Sequence, residues 1–256
     1  MLINPTPFKL IPILLALPML VIIASASAQP PAFAVATIRP TTAEVQFEHD
    51  GKTEFSGDAL RMQDVMLSTC IKLAYHVQDS QIIGPAWVRT ERMDITAKSD
   101  GPADPDTMKQ MLQALLADRF HLSFHREQKE MKAIVFTVAS SGSKLSPAAA
   151  PDVKPFRQNS ANGTVAKSMP IREFIDFLSG PMEMPAVDHT GLPGKYDFAI
   201  DFTPYLPDAK NMSPDRPDMT AILKAALHDE LGLNMDSAKT QVEILVIDHV
   251  EKPSPN

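Results

Sequence analysis

The feature that most constrains this chain is a pattern that occurs twice. Residues 108–139 align without gaps to residues 219–250. In each copy, apolar residues first recur at helical spacing and then at every second position, and this change of period from 3.6 to 2 predicts a helix followed by strands. Identical residues at matched positions include Met108 and Met219, Leu112 and Leu223, Leu116 and Leu227, Asp118 and Asp229, Leu122 and Leu233, and Val135 and Val246.

A further helix and strand precede each copy. In the first half they are predicted at 62–75 and 93–97, and in the second half at 171–178 and 196–202. Each half then has the order helix, strand, helix, strand, strand, with an extra short strand at 33–38. Helices and strands mixed in this order predict an α+β fold in which two related halves form small sandwiches.

Two polar segments separate or interrupt these halves. Residues 140–167 are rich in Ser, Ala, Pro, Asn and Gly and show no apolar periodicity, so they are predicted to be a linker or a long surface excursion. The first half therefore spans 29–139 and the second spans 168–256. A second proline-rich break at 204–217 predicts a loop within the second half.

The N-terminus has the pattern of a secretory signal peptide at residues 1–28. Lys9 precedes an apolar run at 10–23, and small residues follow up to Ala28. The run has 14 residues and two prolines, whereas a membrane span needs about 20 apolar residues. We therefore expect cleavage, an extracytoplasmic location in the periplasm or outside the cell, and no stable membrane span afterwards.

Charge and cysteine content exclude several classes of protein. With 31 acidic and 24 basic residues, the net charge of −7 argues against a nucleic-acid partner. The single cysteine, Cys70, excludes an internal disulfide and is predicted to be a small buried apolar residue. The sequence has no glycine-rich phosphate loop, and we expect no cofactor.

Several ordered motifs resemble a known family. They are 83–87, 93–98, 115–122, 125–127, 187–198, 231–233 and 246–253. Together they resemble the soil-associated secreted bacterial protein family of unknown function, over residues 32–253. The resemblance implies no catalytic residue or cofactor, but it implies a sensing or binding role, because this domain is also found attached to antibiotic-responsive sensor peptidases. To a lesser degree, each half resembles the short N-terminal interaction module of secretins and outer-membrane receptors.

A metal site at His121, His125 and Glu127 is the first chemical hypothesis that the sequence suggests. Apolar residues alternate around the two histidines, which predicts a strand. Four residues of strand separate their Cα atoms by roughly 13 Å, while both nitrogens must lie about 2 Å from one zinc ion. We therefore predict solvated strand residues and no metal.

The segment Asp188-His189-Thr190-Gly191 is similar to the Asp-Thr-Gly of aspartic proteases, but His189 interrupts it and the chain has no second copy. The following Leu192–Lys195 segment has proline and glycine where a type II turn requires them. A tight turn is therefore the favoured interpretation.

Six residues remain as candidates for ligand binding: Trp87, Arg119, Asp188, His189, Tyr196 and Asp197. The Trp87 ring is suited either to stacking on a ligand or, as we favour, to packing in the core. Arg119 is predicted to pair with Asp94 or Asp197. Tyr196 and Asp197 are predicted to be exposed beside the turn.

The leading hypothesis is an extracytoplasmic, non-enzymatic binding or sensing protein whose partner is a peptide, a glycan or an envelope protein. A cleft between the halves or an exposed strand edge would hold the ligand. The alternative is a secreted hydrolase of cell-wall or extracellular polymer with Asp188, His189 and Asp197 as acid and base groups. A third possibility is a structural module of the envelope.

Overall fold

The computed structural model describes residues 30–41, 51–160, 162–206 and 218–253. The predicted signal peptide lies outside these residues, as does 207–217 of the predicted loop. Within these ranges, no helix has the length and apolar character needed to cross a membrane.

The described residues form a mixture of helices and strands. The helices are α1 (Leu67–Tyr75), α2 (Pro105–Phe120), α3 (Ile171–Ser179) and α4 (Met219–Ala226). The strands are β1 (Val35–Pro40), β2 (Lys52–Ser56), β3 (Ala59–Met66), β4 (Ile82–Ile83), β5 (Arg92–Lys98), β6 (Ser123–Val138), β7 (Ser146–Pro147), β8 (Phe156–Ser160), β9 (Gly163–Pro170), β10 (Ala186–Asp188), β11 (Lys195–Asp201) and β12 (Leu233–His249).

These strands form three four-stranded sheets. The first has the order β1-β5-β3-β2 and the third has the order β7-β11-β9-β8, and both are antiparallel. In the middle sheet, β6 and β12 pair antiparallel and each carries one short parallel strand, β10 on β6 and β4 on β12. The predicted α+β class is confirmed.

The two outer sheets have the same local construction. Strands β3 and β9 have the same order of buried and exposed residues, and each leads directly into a nine-residue helix. Asp64 and Ser168 have left-handed φ angles of 54° and 50°, a conformation that costs about 1–2 kcal/mol in a residue with a Cβ. The strand pairing is irregular beside both residues, which forms a β-bulge in each sheet. At each bulge a carboxylate on the neighbouring strand accepts a backbone hydrogen bond: Asp94 Oδ1 from Asp64 N–H and Asp197 Oδ1 from Ser168 N–H, both at 2.8 Å.

The prediction of two separate strands after α2 is wrong, because β6 is continuous. Its polar stretch at 126–132 stays extended because it is paired along its length with β12, where Glu130 lies opposite Gln241. One end of this long ribbon, near Phe124 and Ile247, packs in the first hydrophobic core. Its other end packs in the second core with Phe136 and Met235. The two hydrophobic cores therefore share the middle sheet.

Residues 140–167, predicted to be a linker or a long surface excursion, contain β7, β8 and the start of β9, all in the third sheet. Most residues of β8 are exposed at the sheet edge, so the sequence has no apolar periodicity there. The predicted helix at 62–75 begins only at Leu67, since 62–66 belong to β3. The bulge at Asp64 interrupts the alternation of apolar residues and makes this strand resemble a helix in sequence.

Candidate functional site

A cleft of about 930 Å³ lies between α1 and α3. We call it the interhelical cleft. Its first wall comes from β2, α1, the segment after α1, and α2, and its second wall comes from β8, α3 and the turn after α3. The first wall includes Thr53, Thr69, Lys72, Leu73, His76 and Lys109, and the second includes Arg157, Arg172, Glu173, Asp176, Phe177 and Gly180.

The amphipathic character of the two helices explains why these side chains meet. One face of α1 is buried in the first core through residues such as Cys70 and Ile71. One face of α3 is buried in the second core through residues such as Phe174 and Ile175. The opposite faces present their polar residues to the cleft, as helical periodicity requires.

Ion pairs fix several of these charged groups. Lys109 Nζ lies 3.1 Å from Asp106 Oδ1 on the first wall. On the second wall, Arg172 Nε donates to both carboxylate oxygens of Asp176, at 3.0 and 3.1 Å. Exposed pairs of this kind contribute little stability, so their main effect is to orient side chains along the cleft.

His76 lies where the charged groups of the cleft meet. It ends α1 in a left-handed conformation, with φ 54°. Burial of part of its imidazole lowers its pKa, and the charge of Lys109 lowers it further, while the carboxylates of Asp176, Asp106 and Glu173 act in the opposite direction. The neutral form of His76 therefore predominates at neutral pH.

Arg157 comes from the segment that was predicted to be a linker. Its guanidinium lies over the Phe177 ring, with Cζ 3.2 Å from the ring centroid. Nη1 donates a 2.7 Å hydrogen bond to Asn159 Oδ1. Burial lowers the pKa of Arg157, and the carboxylate of Glu173 partly offsets this effect. The side chain is thus held flat on the second wall.

A second cavity of about 410 Å³ extends from the interhelical cleft toward the β6–β12 ribbon. The two cavities share His76, Val77, Arg172 and Asp176. Residues of the ribbon, including an ion pair between Arg126 and Glu243, line this second space. At the junction of the two halves, Gln78 Nε2 donates to Ser179 Oγ at 3.1 Å.

The profile of a protein family described as "Protein of unknown function (DUF3738)" matches residues 68–250, which include α3 and all of α1 except its first residue. The chain belongs to the DUF3738 family. The predicted resemblance to a family of unknown function is confirmed at this level. No curated protein and no solved structure matches the chain.

None of the six candidate residues chosen from the sequence lines the cleft of this DUF3738 domain. Trp87 is half-buried and packs against the first core, with Lys252 Nζ 5.9 Å from its ring centroid. Arg119 is half-buried near the end of α2. Asp94, one of its predicted partners, accepts hydrogen bonds from the Asp64 backbone N–H at 2.8 Å and from Thr41 Oγ1 at 3.1 Å.

Asp188 ends β10, and its side chain accepts two hydrogen bonds within the segment that follows. Asp188 Oδ1 accepts from Thr190 N at 2.8 Å and from Thr190 Oγ1 at 2.7 Å. The His189 side chain is exposed, and its backbone N–H donates to Phe136 O at 2.9 Å. Gly194 has φ 91°, the left-handed value that the predicted type II turn requires at this position.

The prediction that Tyr196 is exposed is wrong. Tyr196 packs in the second core with 8% of its surface exposed, and its hydroxyl donates to Pro193 O at 2.7 Å. Asp197, next to it, accepts from the backbone N–H of Ser168, and this bond and one from Ala149 lower the pKa of Asp197. Alternation along β11 places Tyr196 inward, because residues at every second position share one face of a strand.

The histidines considered for a metal site lie apart. His121 ends α2 in a left-handed conformation, which corrects the prediction that it lies on a strand. His125 lies on β6, where its ring nitrogens contact Glu127 Oε1 at 2.9 Å and Asp248 Oδ1 at 2.7 Å. Across the described ranges, no group of three or more His, Cys, Asp or Glu residues is arranged to hold a metal ion.

Proposed function

We propose that this protein is an extracytoplasmic, non-enzymatic binding or sensing protein and that the interhelical cleft holds its ligand, a peptide, a glycan or a segment of an envelope protein. The cleft carries the proposal, because both halves contribute to it and its volume of about 930 Å³ lies within the range of ligand sites. The resemblance to domains attached to sensor peptidases supports the same role.

The two halves are proposed to derive from a duplicated unit. The support is geometric: the outer sheets have the same strand order, corresponding left-handed residues, and matching carboxylate contacts at Asp94 and Asp197. In this arrangement α1 and α3 are equivalent helices, and the cleft lies between them. Divergence of the two helix faces would then create a ligand site without disturbing either core.

The extracytoplasmic part of the proposal rests on the sequence at 1–28 and has its own test. Expression with export in a bacterial host, followed by mass spectrometry of the secreted or periplasmic chain, is expected to give a mature N-terminus at Gln29. A chain that keeps residues 1–28 and stays in the cytoplasm would contradict the proposed location.

Ligand binding is tested by filling the cleft. Gly180 lines it, and a Cβ added there meets no atom within 4 Å, so Gly180→Trp introduces a bulky ring without a backbone clash. The matched control is Gly101→Trp, where an added Cβ also meets nothing within 4 Å, and Gly101 does not line the cleft. Soluble peptidoglycan fragments and a tripeptide library serve as probes in ligand-observed NMR.

We expect at least one probe class to bind the unchanged chain and Gly101→Trp but not Gly180→Trp. Equal binding by all three proteins would place the site elsewhere. Absence of binding by every probe would contradict the assigned ligand classes, and chemical turnover of a probe would contradict the non-enzymatic role.

A further inference from the structure

The guanidinium of Arg157 has an unusual environment for a charged group. It is half-buried on the cleft wall, and in the described residues no carboxylate oxygen lies within 4 Å of its nitrogens. Its hydrogen bond goes from Nη1 to the neutral amide oxygen of Asn159. A guanidinium has five N–H donors, so most of its donor capacity is not used by the described chain.

The ring of Phe177 holds this guanidinium in one orientation. Stacking at 3.2 Å from the ring centroid leaves the edge of the guanidinium plane, where its N–H groups lie, for polar partners. A planar guanidinium matches a carboxylate or phosphate group through two parallel hydrogen bonds. Stacking also restricts the side chain in advance, which reduces the entropy lost when a ligand binds.

Further cations in the cleft favour the same ligand charge. Lys72 and Lys109 line the opposite wall, and Arg172 lies on the wall of Arg157. Three carboxylates, those of Asp106, Glu173 and Asp176, also line this space. The lining thus has one more cation than anions when His76 is neutral, whereas the whole chain has a net charge of −7. Positive charge is concentrated here against the overall balance of the protein.

From this arrangement we infer that the interhelical cleft recognises an oxyanion on its ligand, a carboxylate or a phosphate, and that Arg157 is the residue that binds it. The inference rests on the proposed function and specifies the chemistry of that site. The apolar surfaces of Leu73 and Phe177, which also line the cleft, accommodate the uncharged part of the ligand.

The test compares ligands that differ only in the anionic group. One library of N-acetylated tripeptides carries free C-terminal carboxylates, a second carries C-terminal amides, and inorganic phosphate is a separate competitor. We expect the free-carboxylate library to bind about 10- to 100-fold more tightly than the amides. Displacement by low concentrations of phosphate, with no such preference among peptides, would identify phosphate as the recognised group.

Variants identify the responsible side chain. Arg157→Gln is expected to remove the preference for the anionic ligand, and Arg157→Lys to retain part of it, because lysine keeps the charge but loses the planar fork. Arg61→Gln is the control for net charge, since Arg61 is exposed and does not line the cleft. Circular dichroism confirms that each variant is folded.

The outcomes separate this inference from the proposed function. If the amides bind as well as the free carboxylates, phosphate does not displace them, and Gly180→Trp still blocks binding, the cleft is a ligand site but the oxyanion assignment is wrong. The assignment to Arg157 is also wrong if Arg157→Gln behaves like Arg61→Gln. If no probe binds the unchanged chain, it is the proposed function that fails.

Discussion

Replacement of Gly232 by alanine tests how the segment after β6 docks onto the second core. Gly232 ends the helical turn before β12 with φ 66°. An added Cβ would lie 2.2 Å from Gly142 O and 3.1 Å from Lys144 N. The same segment is anchored by a 2.9 Å hydrogen bond from Lys144 N to Leu231 O. Backbone atoms at these distances leave no space for a methyl group.

The expected loss in the free energy of unfolding of Gly232→Ala has two parts, and a matched control variant separates them. Gly57 has a similar φ of 56°, but an added Cβ there meets nothing within 4 Å. Gly57→Ala therefore reports only the left-handed conformation, and after the restriction of the unfolded chain is included we expect a loss of about 1 kcal/mol. Gly232→Ala adds the overlap with Gly142, for which overpacking costs about 1–3 kcal/mol. The expected total is about 2–4 kcal/mol.

Urea unfolding followed by far-UV circular dichroism measures both variants. With a slope of roughly 3 kcal/mol per molar urea, the midpoint should fall by about 0.3 M for Gly57→Ala and by about 1 M for Gly232→Ala, at unchanged slope. If both variants lose the same stability, the segment containing Gly142 does not lie against Gly232. The predicted linker would then have been the better description of that segment.

Three other predictions concern single side chains. Phe174 is 1% exposed in the second core, so Phe174→Ala should lower the free energy of unfolding by about 3–5 kcal/mol; a loss below about 1 kcal/mol in urea unfolding would contradict its placement. Burial raises the pKa of Cys70 to about 12, so a thiol reagent should label it only after unfolding, and rapid labelling of the native protein would refute its burial. Hydrogen bonds to Glu127 and Asp248 raise the pKa of His125, and its stabilising effect is therefore present below the unfolded pKa and lost as the pH rises through the folded pKa. His125→Gln should remove this pH dependence, and an NMR titration midpoint at or below the ordinary value of 6.5 would show that the contacts do not form.

Both halves of the chain are needed to form the interhelical cleft. Each outer sheet with its helices has its own buried cluster, but neither provides two walls. The β6–β12 ribbon joins the clusters and sets the separation of α1 and α3. A change in ribbon pairing would therefore alter the site even though no cleft residue is replaced.

Several elements were predictable from the sequence because their signals are local. Apolar periodicity predicted α3 and the strands β5 and β11 within a few residues, and the proline and glycine of Leu192–Lys195 predicted the turn. These predictions succeed because the period of burial along a helix or strand depends on backbone geometry alone. The family assignment likewise depends on motifs that are continuous in the chain.

The interhelical cleft and the path of the long strands depend on contacts between distant segments, which the sequence did not reveal. His76, Arg157 and Asp176 are far apart in sequence. They line the same cleft because β6 pairs with β12 and joins the two outer sheets. Arg157 lies on the edge strand β8, where most residues are exposed, so apolar and polar residues do not alternate in its sequence. Tyr196 appeared exposed beside a turn, but the packing of β11 against the second core buries it. Contacts between distant segments depend on strand register, which no short stretch of sequence specifies.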